Sequence, residues 1–326
     1  MGKTLYLECY SGISGDMTVA ALLDLGADRE VLEKTLGSLG VDGFRTEITR
    51  VKKSGLDACD FAVILDEAHE NHDHDMEYLH GHIHEEHSGH NCCGEAHVHD
   101  HPAAEHHHAH EQRHGGEPHA HHHEHRGMKE IREILLSSSM TDRAKGIALS
   151  VFEILAAAEA KAHGVPVDQV HFHEVGAVDS IVDVAAAAIC LDNLDVTEVI
   201  VPKLCEGTGT VRCQHGILPV PVPAVANIVE QNHLNLRITN VEGELVTPTG
   251  AAIAAAVRTS DVLPDRFTIE KTGLGAGKRQ YTCPGFLRAM IIRPENTSGK
   301  YHCKTEEPYG KVDQEATGNS SDKDRI

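Results

Sequence analysis

A histidine-rich tract divides this chain and limits what can fold around it. Residues 69–125 contain 21 of the 27 histidines and twelve Asp and Glu residues, but only one basic residue, Arg113. The apolar side chains in this stretch are too few to offset the entropy cost of ordering it. We therefore predict a disordered, solvated insert inside an otherwise α/β sequence.

The tract is typical of a segment that collects metal ions. Imidazole suits nickel, zinc and copper, whereas magnesium and calcium prefer oxygen ligands. The closely spaced histidines offer overlapping sites that exchange their ions, most densely at His119, His121, His122, His123 and His125. Side-chain chemistry alone does not choose among these metals. A pH sensor and an inert low-complexity insert are the alternative interpretations.

The rest of the sequence restricts the class of protein. The formal net charge is −21, of which the tract supplies −11, so the body is only mildly acidic. We expect no nucleic-acid partner, because the sequence has no basic, aromatic-containing patch to neutralise phosphates. We expect no membrane span, because the apolar runs are too short. Nine cysteines without a Cys-x-x-Cys pair favour a reducing, cytoplasmic location.

Hydrophobic periodicity predicts an α/β fold of mixed sheets with flanking helices. We divide the chain into a strand–loop–helix segment (1–68), the histidine-rich insert (69–125), a main α/β domain (126–294) and a disordered polar tail (295–326). The predicted helices cover 17–25, 28–39, 126–136, 143–163, 178–194, 221–230 and 249–257. The predicted strands cover 4–10, 44–51, 59–65, 199–201, 210–213, 217–220, 236–238, 268–272 and 286–292.

The first candidate site lies between the first strand and the first helix. Ser14, Gly15 and Asp16 occupy this turn, where free backbone N–H groups and the positive end of the helix can receive a phosphate or carboxylate. The Asp16 carboxylate can instead cap the helix or hold a hydrated divalent ion. The residues alone favour neither interpretation.

The densest cluster of potential metal ligands outside the tract is His171-Phe-His173-Glu174, followed by Asp179 and Asp183. In an extended segment His171 and His173 share one face, and the two aspartates, four residues apart, share one face of the next helix. This pattern favours a fixed metal or acid/base site. The alternative is a helix cap with ordinary histidine hydrogen bonds.

Two later loops also suit an anionic small molecule. Thr247 and Thr249 precede an apolar helix, and a second loop combines close backbone approach with two cations, through Gly275, Gly277, Lys278 and Arg279. Each pattern also has a plain structural interpretation, as a helix entry and a strand turn respectively.

Taken together, five segments resemble the nickel-insertion (LarC) family of nickel-pincer cofactor synthesis. They are residues 6–17, 171–183, 209–221, 243–251 and 273–279, in the family's order, with a histidine-rich insert in the expected gap. The resemblance covers roughly residues 4 to 293.

The resemblance implies a nickel chelatase of the lyase class. Such an enzyme uses CTP, with Mg²⁺ or Mn²⁺, to insert Ni²⁺ into pyridinium-3,5-bisthiocarboxylic acid mononucleotide. The product is the pincer cofactor of lactate racemase and related enzymes. Nickel ends bound to two sulfurs and one ring carbon, so a ring proton must leave. We hypothesise that His173 or Glu174 accepts it.

The family commonly continues into a C-terminal region associated with metal–CTP binding, sometimes made separately. This chain resembles the N-terminal portion, so we expect a separately supplied C-terminal partner chain, and a homo-oligomer is compatible with the sequence. A nickel chaperone or storage protein is the alternative function. A magnesium-dependent phosphotransferase would explain Asp16 and Asp179 but not the tract.

Overall fold

The computed structural model describes residues 2–66, 126–170, 172, 178–213 and 215–295. The predicted insert and most of the predicted tail lie outside these residues. Strands from both sides of the insert share a six-stranded mixed sheet, in the order β2-β3-β9-β10-β1-β4. Its members are β1 (Lys3–Glu8), β2 (Phe44–Lys53), β3 (Leu56–Leu65), β4 (Val196–Ile200), β9 (Phe267–Ala276) and β10 (Phe286–Pro294).

The sheet combines hairpins with crossover connections. β2 and β3 form an antiparallel hairpin, and β10 lies antiparallel between β9 and β1. The β1–β4 and β3–β9 pairs are parallel. This topology confirms the predicted α/β class with a mixed sheet.

The described helices form layers on one side of this sheet. They are α1 (Gly15–Asp24), α2 (Arg29–Leu36), α3 (Met128–Ser137), α4 (Asp142–His163), α5 (Val178–Asn193), α6 (Pro223–Gln231) and α7 (Pro248–Val257). Helix α1 packs on β3, β9 and β10 and against α5, while α4 contacts α3, α5, α6 and α7. Helix α5 is rich in buried alanines, Ala185 to Ala188, whose small side chains allow this close packing.

Glycine in β9 allows α1 to lie directly on the sheet. A Cβ atom added at Gly275 would meet the Met17 carbonyl oxygen of α1 at 2.0 Å. No side chain fits at that distance, so the helix can approach the strand only at a glycine. The N-terminal end of α1 is thereby fixed beside the end of β9.

Two short sheets complete the described fold. Strand β5 (Leu204–Thr208) pairs in parallel with β8 (Leu236–Glu242), and β6 (Thr210–Cys213) forms a hairpin with β7 (Gly216–Pro219). Strand β5 was not predicted, because its short Leu-Cys-Glu-Gly-Thr sequence has neither alternation nor a long apolar run. The other predicted elements are present, with ends shifted by a few residues.

On its other face the large sheet carries a small cluster of Tyr6, Ile200, Met290 and Ile292. Leu263 and Phe267 pack against this cluster. Within the described ranges, no helix is both long and apolar enough to cross a membrane.

Candidate functional site

The turn before α1 places a carboxylate at the helix N-terminus. Ser14 is the N-cap residue: its Oγ accepts a hydrogen bond from the Met17 backbone N–H at 3.4 Å and donates a short one to Asp16 Oδ1. The Thr18 hydroxyl in turn donates to the Ser14 carbonyl oxygen at 2.7 Å. Asp16 thus lies in the first helical turn, where the helix dipole favours negative charge.

A second carboxylate, from α5, meets the same helix end. A Cβ atom added at Gly15 would lie 2.6 Å from Asp183 Oδ2, so the absence of a side chain there lets α5 approach. The Asp16 backbone N–H donates to the Asp183 carboxylate. The other oxygen, Asp183 Oδ1, has no hydrogen-bond partner among the residues the structure describes. Asp179 lies one turn earlier on α5 and adds further negative charge.

Burial raises the pKa values of the Asp16 and Asp183 carboxyl groups, although both side chains keep some solvent-accessible surface. Burial raises the pKa of Asp16, against the opposing effects of the Ser14 hydrogen bond and the Lys278 charge. Burial, followed by the charges of Asp16 and Asp179, raises the pKa of Asp183 well above its usual range. Ionising several adjacent buried carboxyl groups at once costs free energy, because their charges are desolvated and repel each other. The cluster therefore favours a bound proton or a neighbouring cation.

The turn after β9 presents cations opposite the acidic cluster. Lys278 Nζ lies 2.5 Å from Asp60 Oδ1, and Arg279 Nη1 lies 3.0 Å from Glu244 Oε2. The Tyr281 hydroxyl donates to the Glu244 carbonyl oxygen at 2.9 Å, which holds this turn against the loop before α7. Each of the two cations is thus paired with a carboxylate on a neighbouring element.

Between these two walls lies a cavity of about 180 Å³, called here the inner cavity. Six of the residues predicted to bind substrate or nucleotide line it: Ser14, Asp16, Thr247, Gly277, Lys278 and Arg279. Gly15, Thr249 and Gly275 do not. Gly15 instead packs on Asp183, and Gly275 lies inside β9 against α1.

A second cavity of about 470 Å³, the outer cavity, adjoins the inner one through the shared Gly277 to Arg279 turn. Lys52 and Lys53 from β2 contribute to its walls beside Lys278 and Arg279. Lys53 Nζ also donates to the Arg279 carbonyl oxygen at 3.2 Å. Sequence reasoning missed the two lysines at the end of β2, because they lie far from the other motifs along the chain.

A buried glutamate fixes the loop that closes the inner cavity. Glu206 of β5 is 0% exposed, and its Oε1 accepts from the backbone N–H groups of Gly207, Leu245 and Val246 at 2.8, 2.7 and 3.1 Å. Burial raises the pKa of Glu206, and these hydrogen bonds oppose the shift. A single acid in a short, unpredicted strand gave no sequence signal for this role.

The same loop is joined to the turn before α1. The Ile13 N–H donates to the Leu245 carbonyl oxygen at 3.0 Å, and the Thr247 N–H donates to the Ile13 carbonyl oxygen at 3.1 Å. Thr247 then caps α7 by accepting from the Gly250 N–H at 3.1 Å. Glu206 thus supports both the acidic and the cationic side of the inner cavity.

Most of the predicted metal ligands lie outside the described residues: His119, His121, His122, His123, His125, His171 and His173, together with the predicted base Glu174. Within the described part of the chain, no group of three or more His, Cys, Asp or Glu side chains is arranged to hold a metal ion. The Phe172 N–H donates to the Arg126 carbonyl oxygen at 3.4 Å. Arg126 directly follows the tract in sequence, and Phe172 lies between His171 and His173.

These features define an α/β protein with a polar cavity that has the Asp16 carboxylate on one wall and the Lys278 and Arg279 cations on the other. Comparison with known proteins then gives the family: the model of the nickel insertion protein family matches residues 5–319, and the chain belongs to that family. The resemblance inferred from the five sequence segments is confirmed. No solved structure matches the chain significantly.

Several similar proteins are named pyridinium-3,5-bisthiocarboxylic acid mononucleotide nickel insertion protein. The protein from Alkaliphilus metalliredigens is 49% identical over 96% of this chain. Those from Clostridium acetobutylicum and Akkermansia muciniphila are 42% and 37% identical, each over 90% of this chain. The chain spans 66%, 65% and 61% of their respective lengths, which is less than two thirds.

Proposed function

We propose that this chain inserts nickel into pyridinium-3,5-bisthiocarboxylic acid mononucleotide, the substrate named in its relatives. One observation carries the proposal: in a member of the nickel insertion family, Asp16 faces Lys278 and Arg279 across a single cavity. A mononucleotide that carries both a phosphate and a metal-binding group needs this combination of charges.

The cationic turn is proposed to bind the substrate phosphate. Lys278 and Arg279 border both cavities, and Lys53 extends the positive surface into the outer one. Guanidinium and ammonium groups form strong, charge-assisted hydrogen bonds to phosphate oxygens. Ser14 and Thr247 offer hydroxyl groups on the opposite side. We propose that the backbone around this site is shaped by Gly15, Thr249, Gly275 and Gly277.

Formation of a nickel–carbon bond requires a base. The ring C–H bond breaks, its electron pair goes to the new bond with Ni²⁺, and the proton passes to the base. His173 and Glu174 remain our proposed acceptors. Asp16 is added to them, because it lines the inner cavity and its raised pKa moves it towards the range of a base working near neutral pH.

The route of the metal is also a proposal. We propose that nickel passes from the tract, including His119 to His125, to a fixed site formed with His171, His173 and Asp179. The hydrogen bond between Phe172 and Arg126 supports this order, because it joins the chain position after the tract to the position between the two histidines. Asp179 adds negative charge to the same end of α5.

The family resemblance supplies the remaining parts of the proposal. They are CTP with Mg²⁺ or Mn²⁺, a product used by lactate racemase-type enzymes, a cytoplasmic location and classification as a lyase. From the family resemblance we propose that a C-terminal region, of the kind the family sometimes makes as a separate chain, supplies the CTP site.

The direct test is reconstitution. The chain is incubated with the mononucleotide precursor, nickel and CTP, with and without the additional C-terminal region of a longer relative, and the product is followed by absorbance and mass. We expect nickel-containing product when both parts are present. Absence of product under both conditions would overturn the proposal, and product from the chain alone would remove the need for the partner.

The alternative, a nickel storage protein, is favoured by the 21 histidines of the tract. Replacing those histidines with glutamine at constant length separates the two functions. An insertion enzyme keeps its rate when nickel is abundant and loses it only when nickel is scarce. A storage protein loses nearly all of its nickel binding and forms no product at any nickel concentration.

A further inference from the structure

Two described histidines lie side by side: His163, which belongs to none of the predicted motifs, and His215, which falls in the 209–221 segment but was given no role. The imidazole rings of His163 and His215 have centroids 5.0 Å apart, with ring planes inclined by 46°. His163 is the last residue of α4, and His215 lies in the hairpin between β6 and β7. The fold therefore brings together two nitrogen donors from distant parts of the chain.

Their separation fits two imidazoles bound to one metal ion. With metal–nitrogen bonds of about 2.0–2.1 Å, each ring centroid lies roughly 3.2 Å from the ion, so two rings at tetrahedral or right angles have centroids about 4.5–5.2 Å apart. The observed 5.0 Å lies within this interval.

A carboxylate beside His163 completes a familiar metal-supporting arrangement. Glu159 lies one helical turn earlier, with Oε2 3.4 Å from His163 Nε2 and its side chain only 17% exposed. Metal-binding histidines usually donate their second ring N–H to such a carboxylate. In the proposed site, His163 would donate its Nε2–H to Glu159 and bind the ion through Nδ1.

The backbone around His163 also favours a cation. Helix α4 ends there, and its C-cap Gly164 has a left-handed conformation that stops the helix. The carbonyl groups of the last turn give a helix C-terminus a partial negative charge, which stabilises cations nearby. Both the side chains and the helix end are therefore suited to a positive ion.

We propose that His163 and His215 form a binding site for a divalent transition metal ion, with Glu159 as its supporting carboxylate. Among the described residues no third His, Cys, Asp or Glu completes a metal-binding group. This proposal depends on the proposed nickel function in one respect: nickel is the metal chosen as the probe.

Residue-resolved chemical footprinting tests this site in the full chain. Diethyl pyrocarbonate modifies imidazoles whose nitrogens are not bound to metal, and peptide mass spectrometry measures the rate at each histidine separately. At free nickel of about ten times the Kd, modification of His163 and His215 should slow about tenfold. His233, exposed and distant in sequence, is the internal control and should keep its rate.

Variants show whether the two rings share one ion. His215→Gln should remove the nickel protection of His163, and His163→Gln should remove that of His215, whereas His233→Gln should change neither. Glu159→Gln should raise the nickel concentration needed for protection by about tenfold. Circular dichroism of each variant checks that the fold is retained.

Unchanged modification rates in saturating nickel would overturn the proposal, and so would protection of His163 that survives His215→Gln. In that case the two rings make a packing contact only. The readout is protection rather than product formation, so failure of this site and failure of the insertion reaction are distinguishable.

Discussion

The two walls of the inner cavity differ in how their charges are compensated. On the cationic wall, Lys278 and Arg279 each have a carboxylate partner, Asp60 and Glu244. On the acidic wall, Asp16 lies against Asp183, which does not itself line the cavity, and one oxygen of Asp183 has no hydrogen-bond partner among the described residues. The cations Lys278 and Arg279 are therefore already ion-paired in the free protein, whereas Asp16 and Asp183 favour a proton or a cation that they do not themselves supply.

Removal of the support shared by both walls should have the largest effect. Glu206→Ala would leave the backbone N–H groups of Gly207, Leu245 and Val246 without their acceptor. We expect a loss of about 3 kcal/mol or more in the free energy of unfolding, since each orphaned buried donor costs about 1–3 kcal/mol. Urea denaturation measures this loss.

Glu206→Gln is the matched control for that variant. It keeps an oxygen that can accept the same hydrogen bonds, so it should recover most of the lost stability. Equal stability of the alanine variant and the wild-type protein would show that the loop is held by other contacts.

The acidic wall is tested next, through Asp16. Asp16→Asn keeps the size of the side chain and removes its charge and its ability to accept a proton. If Asp16 serves the insertion reaction, the rate of product formation should fall about 100-fold or more, the usual contribution of a proton-transfer group. Asp265→Asn, at an exposed position outside both cavities, is the control. Wild-type rates in Asp16→Asn would exclude a direct role.

The cationic wall should give a smaller effect of a different kind. Lys278→Met removes one charge from the proposed phosphate site, so KM for the mononucleotide should rise about tenfold while kcat changes little, as expected for the loss of one charged hydrogen bond. Lys34→Met, on the exposed part of α2, should leave KM unchanged. A fall in kcat without a change in KM would contradict phosphate binding at Lys278.

The sequence allowed a fair prediction of the parts of this cavity but not of their assembly. Ser14 and Asp16 were singled out because a Gly/Ser turn between a strand and a helix is a local signal for an anion-binding helix start. The shared face of Asp179 and Asp183 follows from their spacing of four residues. Asp183 meets Asp16 because α1 packs against α5 at Gly15. No local sequence pattern encodes this packing.

Three misses have similar physical causes. Glu206 acts through hydrogen bonds to a loop nearly 40 residues away in sequence, and its strand is too short to show a period. Lys53 reaches the outer cavity only because the β2–β3 hairpin lies beside the turn after β9. The packing of Gly275 against α1 was missed because it joins distant parts of the chain, while the place of Gly275 in a binding loop stays a prediction.

The smallest effect should be a gain in stability at Asp183, behind Asp16, with a defined pH dependence. The pKa of Asp183 is raised in the folded protein, so the folded state holds this proton more tightly than the unfolded chain does. The stability that this proton contributes is complete below the unfolded pKa of about 3.9 and is lost as pH rises through the raised value. Asparagine does not titrate and so avoids this loss.

At pH 8 the free energy of unfolding of Asp183→Asn should therefore exceed that of the wild-type protein by on the order of 1 kcal/mol, measured as unfolding at a higher urea concentration. This difference should shrink towards pH 4. Asp57 provides a control of opposite sign, because its hydrogen bond to Arg50 lowers its pKa. Asp57→Asn should lower stability at neutral pH and lose that effect in acid. A pH-independent difference for Asp183→Asn would mean that the acidic wall is already compensated, and the contrast between the two walls would not hold.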